Sequence, residues 1–398
     1  MRVIVIGGGA SGIVSAIYAS KNNDVTILEK NNTLGKKILI TGNGKCNYYN
    51  DYHSIDCYNT QNKEILKEIV TEDNRKEILN LFDRIGIVPN IKNGYYYPHS
   101  NQAVSVQTAL IKEAKNKGVN IITECEVISI DYKDEFIIKT KTEEYKADKV
   151  IVATGSLAAP KTGTDGIGYK FAKHFNHTII KPLPALTGLK AKGNYFKDWK
   201  GIRTDVKLTY KDKMEIGEIQ LTDYGVSGVC VFNLSSIIAR DLEQKSPILK
   251  INFVPFLNIE TIDELITYFD KRDKLVEKRS ISELMDGFLN YKLVNLLLEL
   301  SNIKKEYTWN NLDIYKKQKL MHNLLNFEVE IIGTNDFDKS QTCSGGIKLD
   351  EVNPNTMESL KQKGLYFTGE LLDVDGKCGG YNLEFAFITG FLAGDNID

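Results

Sequence analysis

Apolar positions in this chain change their spacing in a fixed order. Arg2–Ile6 is an almost unbroken apolar run, the pattern of a strand buried on both faces of a parallel sheet. Glycines follow at 7, 8, 9 and 12, residues 13–21 take helical spacing, and Asp24–Leu28 is again strand-like and ends on Glu29. Amphipathic helices are predicted near residues 62–70 and 74–85, a turn and short strand over 94–99, and a helix over 102–117 that stops at Gly118. Residues 121–123, 127–130, 136–140 and 150–153 alternate with charged turns, which predicts a short meander inside a parallel sheet. Gly163, Gly166 and Gly168 lead into a helix over 169–174.

Pro182 and Pro184 mark a boundary. Residues 185–255 read as short strands with polar turns. Residues 259–325 are helical in spacing, with one glycine and no proline. Residues 327–332 form a strand that closes the β region. Residues 364–369 resemble a strand returning to the first sheet, and a last helix spans 382–394. The expected class is therefore α/β, with a discontinuous Rossmann-like domain whose N-terminal part covers 1–184 and whose C-terminal part covers 341–398. An inserted β region over 185–255, closed by 326–340, carries a helical region over 256–325.

Composition changes this picture little. The 398 residues are 42% apolar and 26% charged, with a net charge of −1, so no global field draws the chain to nucleic acid or an anionic membrane. Six cysteines stand singly at 46, 57, 125, 230, 343 and 378. Without a Cys-x-x-Cys pair, a zinc or dithiol centre is disfavoured, and no metal site is expected. Unpaired thiols suggest a cytoplasmic protein. Glycines interrupt the apolar N-terminus, so it reads as nucleotide-binding rather than as an export signal. No stretch has the roughly 18 uninterrupted apolar residues of a membrane span.

The chemistry lies in the turns. Gly7-x-Gly9-x-x-Gly12 between a strand and a helix, with an acid after the second strand, is a dinucleotide fingerprint. Gly7 permits the turn, Gly9 lets the backbone approach a pyrophosphate, Gly12 lets the helix pack on the strand, and Glu29 accepts from a ribose diol. The fingerprint alone allows NAD or FAD. The small turn Ala153-Thr154-Gly155 recurs in flavoproteins, and Glu370 after a strand suits ribityl hydroxyls. Gly379-Gly380 ahead of a helix offers N–H groups to negative charge on a reduced flavin. Together these narrow the cofactor to FAD.

These motifs, with Gly35–Asn47, Thr154–Gly163, Thr222–Gly228, Thr342–Gly346 and Gly369–Gly376, resemble the HI0933-like flavoprotein family, also called BaiN-like or aminoacetone oxidase-like. The resemblance covers nearly the whole chain. It implies FAD on a two-dinucleotide-binding fold with an inserted β-barrel and a small helical domain. It also implies a flavin lined by Gly42, Asn43, Gly44, Cys46 and Asn47 and by Gly379, Gly380, Tyr381 and Asn382. The expected cofactor set further includes Ala10, Ser11, Lys30, Lys37, Thr41, Val127, Gly369 and Asp373. Asn43 and Lys45 stand where the family usually has glycine and arginine, and Ser156 where it usually has a second glycine.

Cys46 and His99 are the candidate proton donors, each with a plain alternative: a packed thiol and a surface residue. Lys36 and Lys37 are either anion contacts or a solvated face. No second glycine fingerprint marks an NAD(P)H domain, so NAD(P)H binds transiently as reductant or electrons pass to oxygen. The leading expectation is an FAD-dependent oxidoreductase acting on a small molecule, either an NAD(P)H-linked reductase or an amine oxidase. A flavin-dependent enzyme reducing uridine in ribosomal RNA ranks below it, because residues 186–255 carry eleven basic and eight acidic side chains, only mildly basic. A flavin-binding redox sensor without turnover is the remaining alternative. Substrate and oligomeric state are not legible.

Overall fold

The computed structural model describes residues 1–276 and 279–397. The chain divides into two compact units, one of residues 1–185 and 337–398, the other of residues 186–336.

The first unit is built on five parallel strands: β1 (Arg2–Ile6), β2 (Asp24–Leu28), β3 (Asn120–Ile122), β4 (Lys149–Val152) and β5 (Leu365–Phe367). Their spatial order is β5-β4-β1-β2-β3. The order reverses beside β1, so the crevice at its carboxyl end is where a ligand is expected in an open α/β sheet. Val3 to Ile6 are all buried, as a strand covered on both faces requires.

Three helices complete the layer: α1 (Ala10–Ala19), α2 (Ala103–Asn116) and α3 (Tyr381–Asp395). Helix α3 is apolar nearly all round because it is buried nearly all round. It packs on α1 backbone to backbone: a Cβ at Gly390 would lie 2.4 Å from the Ser11 carbonyl oxygen, and one at Gly394 2.3 Å from that of Ser15. The residues at 365–367 pair with β4 in parallel, as the return strand was expected to do.

The meander differs from expectation. Val127–Tyr132, Phe136–Thr140 and Glu144–Ala147 form their own three-stranded antiparallel sheet, while the strands at 120–122 and 149–152 on either side of it enter the parallel one. Short hairpin connections pair neighbouring strands with each other, whereas entry to a parallel sheet needs a long crossover.

The second unit contains a closed six-stranded barrel in the order Leu189–Ala191, Gly225–Ser227, Lys213–Leu221, Arg203–Tyr210, Ile248–Asn252 and Phe327–Thr334. The last strand closes it, pairing with both Ile248–Asn252 and Leu189–Ala191. Residues 229–241, read from the sequence as part of the β region, are instead helical (Val229–Asp241), with Val231, Leu234, Ser235 and Ile238 buried on one face. Ile251 of the barrel and Trp199 of the short helix Phe196–Trp199 share one apolar core with Phe269, Leu293 and Trp309 of the helical region.

A single carboxylate ties distant parts of the first unit. Glu351 accepts from the Thr178 N–H and hydroxyl and from Lys361 Nζ, each at 2.7 Å. Burial alone would raise its pKa, but these donors outweigh it and hold the value at about 2. A depressed carboxylate stabilises the fold above its unfolded pKa of 4.5, and that contribution disappears as pH falls through about 2. Glu351→Gln is expected to cost roughly 2–3 kcal/mol at neutral pH and much less at pH ~2. Urea titrations at the two pH values check this; an equal loss at both would count against it.

Candidate cofactor and redox site

The turn after β1 has the geometry its glycines require. Gly7 has φ +100°, and a Cβ there would stand 2.6 Å from the Ala153 carbonyl oxygen. A Cβ on Gly12 would meet the Gly7 carbonyl oxygen at 2.0 Å, so α1 lies directly on the turn. At Gly9 only the Ala153 oxygen comes as near as 4.0 Å. That open face sits beside Ala10 and Ser11 at the N-terminus of α1, where N–H groups lack intrahelical partners and carry the positive end of the dipole. It is a cradle for a diphosphate.

Glu29 is buried at the end of β2. One carboxylate oxygen accepts from the Gly8 N–H at 2.7 Å; the other accepts from the N–H and side-chain amide of Asn31 at 2.8 and 2.7 Å. A carboxylate has about four acceptor positions, so with three taken one remains for a ribose hydroxyl. Val127 is buried at the start of its strand, and nearby Cys125 donates its N–H to the Glu29 carbonyl at 2.9 Å.

The lysines are engaged within the chain. Lys30 pairs with Asp165 and Lys37 with Glu370, each at 2.6 Å, and Lys36 donates to Asn31 at 3.1 Å. Ser156 also donates to Glu370, at 2.9 Å. The serine that stands in place of the usual glycine thus gains a function: with Lys37 it fixes the acid that follows β5. Both contacts use Oε2, leaving Oε1 of Glu370 for a hydroxyl. Gly369 has φ +68°, and a Cβ there would lie 2.7 Å from Ser11 Oγ, so the C-terminal block abuts the N-terminal fingerprint.

The loop at 41–46 winds left-handed at Gly42, Asn43 and Gly44, with φ of 55°, 55° and 80°. Asparagine tolerates that region better than other side chains, which explains why Asn43 can replace a glycine. Residues 42–45 are exposed, while Thr41 turns inward and donates to the Ile38 carbonyl at 2.6 Å. Cys46 is fully enclosed, and burial pushes its thiol up to about 12. It is a packing group, not a proton donor facing a substrate. His99 is exposed beyond the strand Tyr95–Pro98. The two candidate donors therefore do not meet at one surface.

At the other end, Gly379 and Gly380 take φ of 136° and 98° ahead of α3. A Cβ on Gly380 would sit 3.0 Å from the Tyr49 carbonyl oxygen. Tyr381 donates its hydroxyl to the Tyr52 carbonyl at 3.0 Å, and Asn382 bonds both the N–H and carbonyl of Gly376 at 2.9 and 2.7 Å. Asp373 accepts from the Gln61 N–H at 3.1 Å. Asn47, with its amide nitrogen facing the carbonyls, donates to Tyr49 and Tyr96 at 3.0 and 3.1 Å. These side chains hold the glycine turn, leaving its backbone to meet a ligand.

Sequence reasoning missed a buried ion pair beneath this turn. Arg75 Nε donates to Glu384 Oε1 at 2.6 Å, and Arg75 Nη2 donates to the Asn50 carbonyl at 2.6 Å. Asn50 in turn donates to the Gly379 carbonyl at 3.0 Å. Glu384 was detectable as the lone acid in the apolar run Leu383-Glu-Phe-Ala-Phe387. Arg75 was not, because it lies in a helix of mostly charged residues.

Features of this unit fit a dinucleotide such as FAD. Gly9 faces open space. Five buried hydroxyls, of Tyr58, Thr154, Tyr169, Thr342 and Thr368, have no partner among the described residues; two of them, Thr154 and Thr368, lie just past the carboxyl ends of the adjacent strands β4 and β5. Buried polar groups are seldom left unpaired unless something else pairs them.

The model of the HI0933-like protein Rossmann domain matches residues 1–396. A 3-dehydro-bile acid delta(4,6)-reductase of Clostridium scindens is 37% identical over 99% of this chain and 98% of its own length. A ribosomal RNA dihydrouridine synthase of Escherichia coli is 25% identical over 99% and 97%. Among solved structures, a 3-ketosteroid delta1-dehydrogenase from Sterolibacterium denitrificans, in complex with 1,4-androstadiene-3,17-dione, superposes with a TM-score of 0.53 at 10% identity. That match covers 99% of this chain and 98% of the other and concerns the fold alone.

Proposed function

The chain belongs to the HI0933-like family, and from that premise we propose that this FAD-dependent oxidoreductase reduces a carbon–carbon double bond conjugated to a carbonyl in a small apolar molecule, with NAD(P)H as electron source. The observation that carries the reading is the 37% identity to a reductase, spread over 99% of the chain. FAD supplies hydride transfer when bound. The open face at Gly9 would hold its diphosphate, Glu29 its adenosine ribose and Glu370 its ribityl chain. The turn at Gly379–Gly380 would face the ring, with the α3 N-terminus favouring negative charge there.

The reaction balances as hydride plus proton added across the double bond, with NAD(P)H oxidised to NAD(P)+ and one proton drawn from solvent. A steroid-like enone is the substrate class favoured by the reductase relative. Uridine in ribosomal RNA is the second reading, supported by the 25% identical relative and disfavoured by the net charge of −1, since RNA binding relies on cationic surface.

The test is anaerobic reduction of the yellow holoprotein by NADH or NADPH, then reoxidation by a steroid enone, by uridine-containing RNA, or by oxygen. Reoxidation at least ~100-fold faster by the enone than by the other two is expected, a discrimination of about 2.7 kcal/mol. Rapid turnover with RNA and none with the enone would reverse the order. A colourless protein that ignores added FAD would sink both readings.

A further inference from the structure

We propose that Glu384 is the proton-coupling group of the redox cycle: its unpartnered oxygen gains a proton when negative charge arises at the N-terminal end of α3 and releases it when that charge leaves. This rests on the placement of the cofactor ring at Gly379–Gly380 given above.

Position comes first. Glu384 lies in the first turn of α3, and its N–H donates to the Gly380 carbonyl at 2.9 Å. A charge held by the glycine turn is therefore about one helical turn from the carboxyl, with buried protein between them. The side chain is wholly buried, so bulk water does not screen that interaction.

The hydrogen bonding is unusual. An arginine commonly meets a carboxylate with two parallel bonds that satisfy both oxygens. Here the fork is split: Nε takes Oε1 of Glu384, and Nη2 turns to the Asn50 carbonyl. Glu384 Oε2 is buried and has no partner among the described residues. One oxygen is anchored and the other is available to a proton, an arrangement suited to a carboxyl that changes state without moving.

Among the described residues, the groups facing it do not supply a second cation. Arg75 is the counter-ion, and its guanidinium lies over the Tyr49 ring at 4.7 Å. Tyr58 packs on Tyr381 and Phe385, with ring centroids 5.6 and 6.5 Å away, and its buried hydroxyl is also unpartnered. His53, 6.3 Å from the Tyr58 ring, has a buried and unpartnered Nδ1, and burial lowers its pKa, which favours the neutral form. Burial raises the tyrosines too, so Tyr49, Tyr58 and Tyr381 stay neutral near pH 7. Burial lifts Glu384 itself to about 7 against the opposing pull of Arg75. A further negative charge nearby raises it more.

A hydride leaving a reduced nicotinamide brings two electrons and one proton, so the site gains one negative charge. One proton drawn from solvent onto Glu384 offsets it. When the hydride passes to the acceptor, the charge goes with it and Glu384 returns its proton to solvent.

The test uses the FAD-loaded protein. Midpoint potentials are measured by spectroelectrochemistry from pH ~6 to ~9 for wild type and Glu384→Gln, which keeps an acceptor for Arg75. Below about 7 the carboxyl holds its proton in both redox states, so the two proteins should match. Just above it, wild type should take up as much as one more proton per two electrons than the variant. Identical pH slopes throughout would overturn the proposal while leaving the cofactor reading intact; wild type that does not retain FAD would overturn both. Should the variant fail to fold, the reduced-minus-oxidised infrared spectrum of wild type above pH 7 decides. A newly protonated carboxylic acid band supports the proposal and its absence refutes it.

Discussion

Replacing Gly9 by valine is expected to leave the fold standing and to weaken FAD binding at least about a hundredfold, roughly 3 kcal/mol. The backbone at Gly9 (φ −79°, ψ −169°) is open to a β-branched residue, and beyond its sequence neighbours no atom of the described residues lies closer than 4.0 Å to the new Cβ. The added methyls would instead occupy the open face assigned to the diphosphate. Gly12→Ala is the informative contrast. Its Cβ would sit 2.0 Å from the Gly7 carbonyl oxygen, so it should damage the apoprotein itself. Apoprotein melting midpoints and FAD titrations separate the two effects. A Gly9 variant that binds FAD like wild type would remove the diphosphate from this position.

The second large effect is expected from Arg75→Met. Removing one member of a buried ion pair costs about 3–5 kcal/mol where the remaining group stays charged. Arg75 also carries the link through Asn50 to Gly379, so FAD affinity should fall with stability. The loss should depend on pH with a definite sign. Arg75 pulls the pKa of Glu384 down against burial, so without it the folded value rises above about 7, further from the unfolded 4.5. A raised folded pKa gives stability that is full below the unfolded value and is lost as pH rises through the folded one. The variant should therefore be much weaker than wild type at pH ~8 and closer to it at pH ~5.5, as read by urea unfolding. An equal deficit at both pH values would mean that Glu384 does not titrate in this range.

Much of the parallel sheet was legible because its signals are local. An apolar run, a glycine where φ must be positive and a helix repeat are properties of adjacent residues, and β1, β2, β4 and β5 fall where those patterns place them. The helix Val229–Asp241 was not legible as such. Its run Val-Cys-Val-Phe-Asn-Leu has the β-branched and aromatic content of a strand, and tertiary packing against the barrel overrides that preference. The antiparallel sheet over residues 127–147 was visible as strands but not as a separate sheet, because partner choice is not written in the strand itself.

The candidate site divides in the same way. The sequence by itself determined the glycine turns, the acid at the end of β2 and the acid after β5, since each acts through its own backbone or at a strand end. Tertiary structure alone decided that Lys37 and Ser156 converge on Glu370, that Cys46 is sealed while His99 is exposed, and that Arg75 meets Glu384 across 309 positions. The reason is physical: a glycine's conformational freedom belongs to one residue. Burial, and with it the charge a side chain can hold, belongs to whichever residues the fold brings around it.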